Sequence, residues 1–543
     1  MQGLMQQHPL LISALIDFAA RHHGDGEIIS RRVEGDIHHT TWHDVQRRAK
    51  QVAQALDAWD MAPSARIGTL AWNGYRHLEL YFGVSGSQRV LHTVNPRLLP
   101  EQIGWIIHNA GDQVLCFDMT FLPIVQQIHA RCPDVQYWVA LCDADRLPSG
   151  SSIPNLVSYE AWVGRHKSDY AWPEFDENTA AGLCYTSGTT GDPKGALYSH
   201  RSTVLHAYAA ALPDVLNLSA RDMVLPLVPM FHVNAWGLPY ACALTGAGLA
   251  FPGPLLDGKS VYELIELAQI TIASGVPTVF QMLLAHVQNN RLKFSSLQRA
   301  VIGGAAAPPV LLEAFRQEFG VDARHAWGMT ETSPIGTAAA LKKKHLTQSA
   351  ADQARHAATQ GRAIFGIDIK ITGSNGQELP WDGVTAGDLY VKGHWVLSRY
   401  FLNEDNNPLD EDGWFATGDV ATIDPDGYMH ITDRSKDVIK SGGEWISSIQ
   451  LENIAMAHPA VAMAACIGVK HPKWDERPVL VVTMRPGQEA TREELLAIYE
   501  SKVPKWQIPD DVVLVDEIPI GATGKMLKNR LREQMRDYKL PGT

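Results

Sequence analysis

Cysteine is scarce in this chain. Six residues (Cys116, Cys132, Cys142, Cys184, Cys242 and Cys466) are scattered along 543 positions with no CxxC pair and no zinc spacing. That pattern offers neither a disulfide framework nor a metal knot, and it points to a reducing, cytoplasmic setting. Positive charge is also in deficit. Lys and Arg number 47 against 59 Asp and Glu, a net charge of −12 with no dense basic block, which argues against broad binding to nucleic acid. Any phosphate must therefore be held locally. Long apolar runs are missing too. The best membrane candidate, Met223 to Leu256, has no Asp, Glu, Lys or Arg but contains Pro226, Pro229, Pro239, Pro252 and Pro254. Its uninterrupted part, Tyr240 to Phe251, falls short of the about 20 residues a spanning helix needs, so it reads as buried core or pocket wall. No basic region precedes the first apolar positions, since the first positive charge is Arg21, and a secretory signal is not expected. The last residues carry no lipidation or peroxisomal signal.

What is abundant is material for a core. The hydrophobic fraction is 45%, and 15 Trp, 15 Tyr and 14 Phe are too many for a disordered chain. The length is about three to four times that of an ordinary domain, so more than one folding unit is expected. Leu11, Leu15 and Phe18 recur at helical spacing near the start. From Trp42 to Gly427 helical patterns alternate with short apolar runs such as VIGGAA at 301–306, the rhythm of α/β layers on mostly parallel sheets. A turn signal at 424–427 and the polar string DRSKD at 433–437 precede a new series. There Ile449, Glu452 and Met456 fit a helix, 461–469 and 479–484 read as strands, and Thr491 with Glu494 makes a capping box. The expected fold is α/β, with a large multi-sheet N-terminal domain and a small α+β C-terminal domain. No internal repeat is visible.

The string YTSGTTGDPKG at 185–195 combines three glycines, four hydroxyls and Lys194. Glycines allow a tight backbone path, hydroxyls donate, and a fixed ammonium attracts anions, so such a loop can cradle phosphates. It is not the pattern GxxxxGK[ST], because Gly195 stands where that pattern has its magnesium-binding hydroxyl. By composition alone it reads equally as a flexible connection.

The full string resembles the signature loop of the adenylate-forming superfamily, which includes acyl-CoA synthetases, peptide-synthetase adenylation domains and luciferase. Four further segments agree in order. WGMTETSP at 327–334 is similar to the second nucleotide motif, ATGDV at 416–420 to the ribose motif, DRSKDVIKSGGEWIS at 433–447 to the hinge motif, and PIGATGKMLKNRLR at 519–532 to the C-terminal lysine motif. The resemblance covers nearly the whole chain and is greatest to the fatty-acyl-CoA synthetase branch, including bacterial ligases of medium-chain acids and 3-methylmercaptopropionate. It implies residues 1–433 as the nucleotide- and acyl-binding domain, 434–440 as a hinge and 441–543 as a small mobile domain.

The resemblance also implies roles. Thr186, Ser187, Gly188, Thr189, Thr190 and Lys194 would hold the phosphates of ATP. Gly303, Gly304, Ala305, His325, Ala326, Trp327, Gly328, Met329 and Thr330 would line the nucleotide pocket. Where the family usually has Tyr, this chain has Trp327, which keeps a stacking face but loses the phenol hydroxyl and any hydrogen bond made through it. Glu331 and Thr186 would hold Mg²⁺, a hard cation that takes oxygen donors. Asp419, following Gly418 at a turn, would accept from the ribose hydroxyls, and Arg434 would donate to them from the start of the small domain. Lys525 would bridge carboxylate and α-phosphate in the first half-reaction, with Thr330 also catalytic. Lys436 marks the hinge, and Lys440, Ser441, Gly442 and Trp445 would shape a thiol channel in the second pose. The stretch PMFHVNAWGLPYA at 229–241 resembles the acyl side, with His232, Val233, Trp236, Gly304 and Pro334 facing substrate. By pattern alone His232 and Trp236 read first as buried packing, and it is the resemblance that turns Trp236 toward the acyl site.

The expected reaction joins a carboxylic acid, ATP and CoA through an acyl-adenylate. A carrier-protein-loading adenylation enzyme, a luciferase-like oxidase and a catalytically silent nucleotide binder are the rivals. No fused carrier domain is expected after the lysine motif. A methylene is worth only about 0.8 kcal/mol of burial, so acids of neighbouring length are separated weakly. A homodimer, the commonest assembly, is the expected oligomer.

Overall fold

The computed structural model describes the chain from Met1 to Pro541 except Gln2, residues 187–192, Ser374, residues 404–405, Gly443 and residues 522–525. Among the described residues the strands form four sheets. The largest has nine strands. Its inner six, from Glu27–Arg31 to Asp322–Gly328, are parallel, and antiparallel strands close both edges. A seven-stranded sheet, parallel except for its last pair Ala180–Tyr185 and Gly195–Ser199, stands beside it. Continuous apolar strands such as Arg299–Gly303 and Gly248–Phe251 need both faces covered, and helices supply the cover. The proline-broken stretch resolves into a strand, Met223–Pro226, a tight turn, the helix Leu238–Thr245 and the strand Gly248–Phe251, all largely buried. No helix among the described residues is long and apolar enough to cross a membrane.

A four-stranded antiparallel sheet follows, made of Ile367–Thr372, Gly387–Gly393, Phe415–Ile423 and Met429–Arg434. Its inward face joins the large core shared by the two bigger sheets. The fourth sheet begins at Ile439 and holds Glu444–Ile446, Ile439–Ser441, Asp475–Met484, Val461–His471 and Asp511–Leu514. Its two hydrophobic clusters draw only on residues from Ile439 onward. The α/β architecture, a large multi-sheet N-terminal part with a smaller C-terminal one, is as expected from the alternation of patterns.

Two local expectations change. The first helix, Ile12–His22, buries Ile12, Leu15, Ile16 and Ala19, while Phe18 is 42% exposed beside His22. Leu11 and Leu15 are both buried, and Phe18 alone of the three leaves the core stripe. Gly418 and Asp419 do not form a turn. They lie inside the strand Phe415–Ile423, where Gly418 takes φ +74° as the pairing register shifts against Gly387–Gly393. A left-handed residue inside a strand marks a bulge, which glycine permits without a Cβ penalty.

Candidate active site

In parallel sheets, loops at the carboxyl ends of strands gather into one crevice. Strands Arg299–Gly303 and Asp322–Gly328 are neighbours with Gly303 opposite Ala326, so their ends bring Gly304 and Ala305 alongside His325 and Trp327. A Cβ on Gly303 would meet the Ala326 carbonyl oxygen at 2.6 Å and the Trp236 indole at 3.3 Å. The small residues therefore exist for close approach. His325 is buried, which lowers its pKa to about 4 and keeps the ring neutral. Its Nε2 lies 3.3 Å from the Ala305 carbonyl oxygen, and its Nδ1 lies 3.4 Å from both the Ala358 carbonyl oxygen and the Gln360 amide nitrogen. This histidine braces the loop at Gly304 and Ala305. Gly328 packs so closely on the Pro334 carbonyl that no side chain fits there.

The antiparallel pairing of Tyr185 with Gly195 pinches the phosphate-type loop at its base. Thr186 N donates to the Lys194 carbonyl at 2.8 Å, and Lys194 N donates to Thr186 Oγ1 at 3.2 Å. Ser187, Gly188, Thr189 and Thr190 lie outside the described residues. Thr186 and His232 line one cavity with Tyr185 and Phe231, so the loop base and the expected acyl segment meet.

Thr330 and Glu331 sit in a short 3-10 turn, Thr330–Thr332, directly after Met329. The Thr330 carbonyl accepts from Tyr198 Oη at 2.7 Å, and the Glu331 carbonyl accepts from Leu397 N at 2.7 Å. Glu331 is 8% exposed, and its Oε1 accepts from Tyr400 Oη at 2.8 Å. The Lys194 ammonium lies over the Tyr400 ring, 5.0 Å from its centre. Sequence reasoning missed Tyr198 and Tyr400. No motif announces them, because each reaches Thr330 or Glu331 from a remote segment. The Glu331 carboxylate and the Thr186 hydroxyl are hard oxygen donors of the kind Mg²⁺ takes. Among the described residues no group of three or more His, Cys, Asp or Glu is arranged for a metal. Such a cation would rely on phosphate oxygens and water for the rest of its shell.

Asp419 is 2% exposed, and both carboxylate oxygens are held. Trp327 Nε1 donates to Oδ2 at 3.0 Å, and Arg434 Nε approaches Oδ1 at 2.7 Å. The phenol hydroxyl usual at this position is absent, and the Trp327 indole nitrogen brings a donor of its own to Asp419. Arg434 is also not the start of the small sheet. It ends Met429–Arg434 and pairs across the strand with Asp419, so the two face each other within one sheet.

The acyl-side segment is conformationally unusual. Val233, Asn234, Ala235 and Trp236 have φ of 44°, 50°, 49° and 58°. Four consecutive left-handed residues that are not glycine cost about 1–2 kcal/mol each. Burial and hydrogen bonds offset this. Ala235 N donates to the His232 carbonyl, Gly237 N to that of Asn234, and Asn234 Oδ1 accepts from Cys184 Sγ at 3.0 Å. The turn lays the Trp236 indole over Gly303 and Gly304. Trp236 and Gly304, both expected at the acyl site, thus come together.

In the C-terminal sheet, Lys440 is exposed in the hairpin of Ile439–Ser441 and Glu444–Ile446, opposite Trp445, with Gly442 at φ +60° in the turn. Ser441 Oγ accepts from the buried Arg477 at 3.2 Å. Among the described residues no hydrogen bond or ion pair joins Lys440 to Glu331 or Asp419. Lys525 lies outside the described residues. The nearby Lys528, to which the lysine motif assigns no role, is buried and pairs with Glu452 at 2.6 Å. Lys436 lies between the last two sheets, and the adjacent Asp437 pairs with Arg532 at 2.8 Å.

Comparison with known proteins agrees with this geometry. The AMP-binding enzyme family matches residues 16–401, and the AMP-binding enzyme C-terminal domain matches 450–525. The 3-methylmercaptopropionyl-CoA ligase of Ruegeria lacuscaerulensis is 53% identical over 99% of both chains. The medium-chain-fatty-acid–CoA ligase of Ectopseudomonas oleovorans is 49% identical over 99% of this chain and 98% of that one. Among solved structures, anthranilate CoA ligase AuaEII in complex with anthranoyl-AMP superposes with a TM-score of 0.85 at 24% identity, covering 96% of this chain and 97% of that one. With full-length relatives at this identity and a family match across most of its length, the chain belongs to the AMP-binding enzyme family.

Proposed function

We propose that this protein is a cytoplasmic, AMP-forming acyl-CoA ligase acting on medium- to long-chain fatty acids or a related alkyl acid such as 3-methylmercaptopropionate. One observation carries the reading. Thr186, at the base of the loop that carries Lys194, lines one cavity with Phe231 and His232 of the apolar segment, so the groups suited to a nucleotide meet the segment suited to an acyl chain. The 53% and 49% identical relatives support the acyl-CoA ligase class and this range of acids.

The chemistry asks two anions to meet. A carboxylate oxygen attacks the α-phosphorus of ATP and pyrophosphate leaves, giving a mixed anhydride. The CoA sulfur then attacks the acyl carbon, and AMP leaves. Lys194 offsets phosphate charge, Asp419 accepts from the ribose hydroxyls with Arg434 beside it, and Gly303, Gly304 and Ala305 let adenine lie against backbone. Glu331 and Thr186 would hold Mg²⁺, which supplies charge neutralisation on the phosphates when bound. Lys525 stabilises charge in the first step. With 434–440 as the hinge, residues 441–543 rotate against 1–433 and bring Lys440, Ser441, Gly442 and Trp445 to the site for the second step. Two copies form a homodimer.

The test is AMP release with and without CoA, across short, medium, long, thioether and aryl acids. CoA-dependent AMP release greatest on a medium, long or thioether acid is expected. Acid-dependent pyrophosphate exchange with no CoA dependence would point to a carrier-loading enzyme, and no turnover with any acid would overturn the reading.

A further inference from the structure

We infer that Tyr400 is a positioning residue of the nucleotide site, holding the Lys194 ammonium and the Glu331 carboxylate apart so that neither neutralises the other before ATP and Mg²⁺ arrive. This rests on the ATP-binding role proposed above. One phenol contacts both charges: its hydroxyl donates to Glu331 Oε1 at 2.8 Å, and its face carries Lys194 Nζ 5.0 Å from the ring centre. Among the described residues Lys194 and Glu331 form no direct ion pair. Glu331 is buried and Lys194 exposed; unlike charges in contact attract even there, and a closed pair would have to be broken to admit phosphate and metal.

The backbone around Tyr400 is tied to the same two places. Leu397 N donates to the Glu331 carbonyl at 2.7 Å, and Phe401 N donates to the Gly195 carbonyl at 2.8 Å, next to Lys194. The segment from Leu397 to Phe401 is thus a strap with one end on each partner. The phenol hydroxyl is a donor that the Glu331 carboxylate, an acceptor only, can take. A preorganised pair of opposite charges, each already oriented, needs no rearrangement when the anionic ligand and its cation enter.

Tyr400→Phe removes the hydroxyl and keeps the ring; Tyr400→Leu removes both. Calorimetric titration of ATP, with Mg²⁺ and with EDTA, reads the two contacts separately. For Tyr400→Phe, MgATP affinity should fall about tenfold, the scale of one hydrogen bond to a charged group, while metal-free ATP binds within about twofold of the native protein. Tyr400→Leu should weaken both forms. In the double variant Tyr400→Phe with Glu331→Gln, the losses should not add, because both remove one interaction. Unchanged MgATP binding in Tyr400→Phe, or equal loss of MgATP and metal-free ATP with a fallen melting temperature, would overturn the inference. Tyr400→Phe decides the matter even if Tyr400→Leu does not fold. A native protein that binds no ATP would instead overturn the nucleotide reading itself.

Discussion

The indole nitrogen of Trp327 donates to Asp419 Oδ2 at 3.0 Å, joining the end of a parallel strand to the middle of an antiparallel one 92 residues away. Arg434 holds the other oxygen, so the carboxylate is fixed at both ends. Trp327→Phe keeps a stacking face and leaves a buried oxygen without its donor, a loss of about 1–3 kcal/mol. ATP affinity measured by calorimetry should fall about tenfold or more, and Trp327→Tyr, with a hydroxyl in the ring plane, should bind better than Trp327→Phe. Equal affinity in all three proteins would show that this bond does not prepare Asp419 for the ribose.

The two lysines of the C-terminal part should divide the reaction. Lys525→Ala should lose about 10²-fold or more in adenylate formation, the scale of one transition-state donor, yet still convert supplied acyl-adenylate plus CoA. Lys440→Ala should show the opposite bias. Equal damage to both half-reactions in either variant would count against domain alternation.

Trp236, proposed at the acyl side, lies over Gly303 and Gly304 at the end of a left-handed turn. Trp236→Ala opens room for a few methylenes at about 0.8 kcal/mol each, so a longer acid should gain on the order of tenfold in relative kcat/KM. A purely structural indole would instead cost about 3–5 kcal/mol of stability and lower activity on every acid alike. The ratio of kcat/KM for a long and a short acid, taken with the melting temperature, separates the two.

Stability should depend on four buried imidazoles. Burial lowers the pKa of His77, His200 and His325 to about 4 and that of His206 to about 3, against about 6.5 when unfolded. His200 Nδ1 accepts from Ile12 N, and His206 Nε2 accepts from Ile335 N, bonds that only the unprotonated nitrogen can make. With folded pKa values below the unfolded one, the unfolded chain binds more protons between them. The stabilisation is fully present above about pH 6.5 and is lost as pH falls toward about 4, each group contributing up to about 1.4 kcal/mol per pH unit. Urea midpoints from pH 7.5 to 4.5 should fall steeply, and His200→Asn, whose Oδ1 can still accept from Ile12, should flatten the slope. A flat profile in the native protein would mean that these rings are charged or solvated when folded.

Five motifs, the α/β rhythm and the separate C-terminal unit are legible in the sequence alone because each is local. A loop that meets phosphate needs glycines, hydroxyls and a lysine within one short stretch, and an apolar strand that ends on adenine needs small residues at its tip. Contacts made through folding leave no such trace. Tyr400 reaches Glu331 from 69 positions away and Tyr198 reaches Thr330 from 132, and nothing next to either tyrosine marks it. Gly418 advertises a positive φ, but whether that φ makes a turn or a bulge depends on the strands that flank it. The left-handed path of Val233 to Trp236 contradicts the intrinsic preference of Val233, Ala235 and Trp236, while Asn234 tolerates it, and burial against the neighbouring strands, together with the Cys184–Asn234 bond, makes it the stable choice. Residue types announce which chemistry is on hand, while distances between remote segments decide which groups meet, because hydrogen bonds and charge pairing act over a few ångströms in space whatever their separation along the chain.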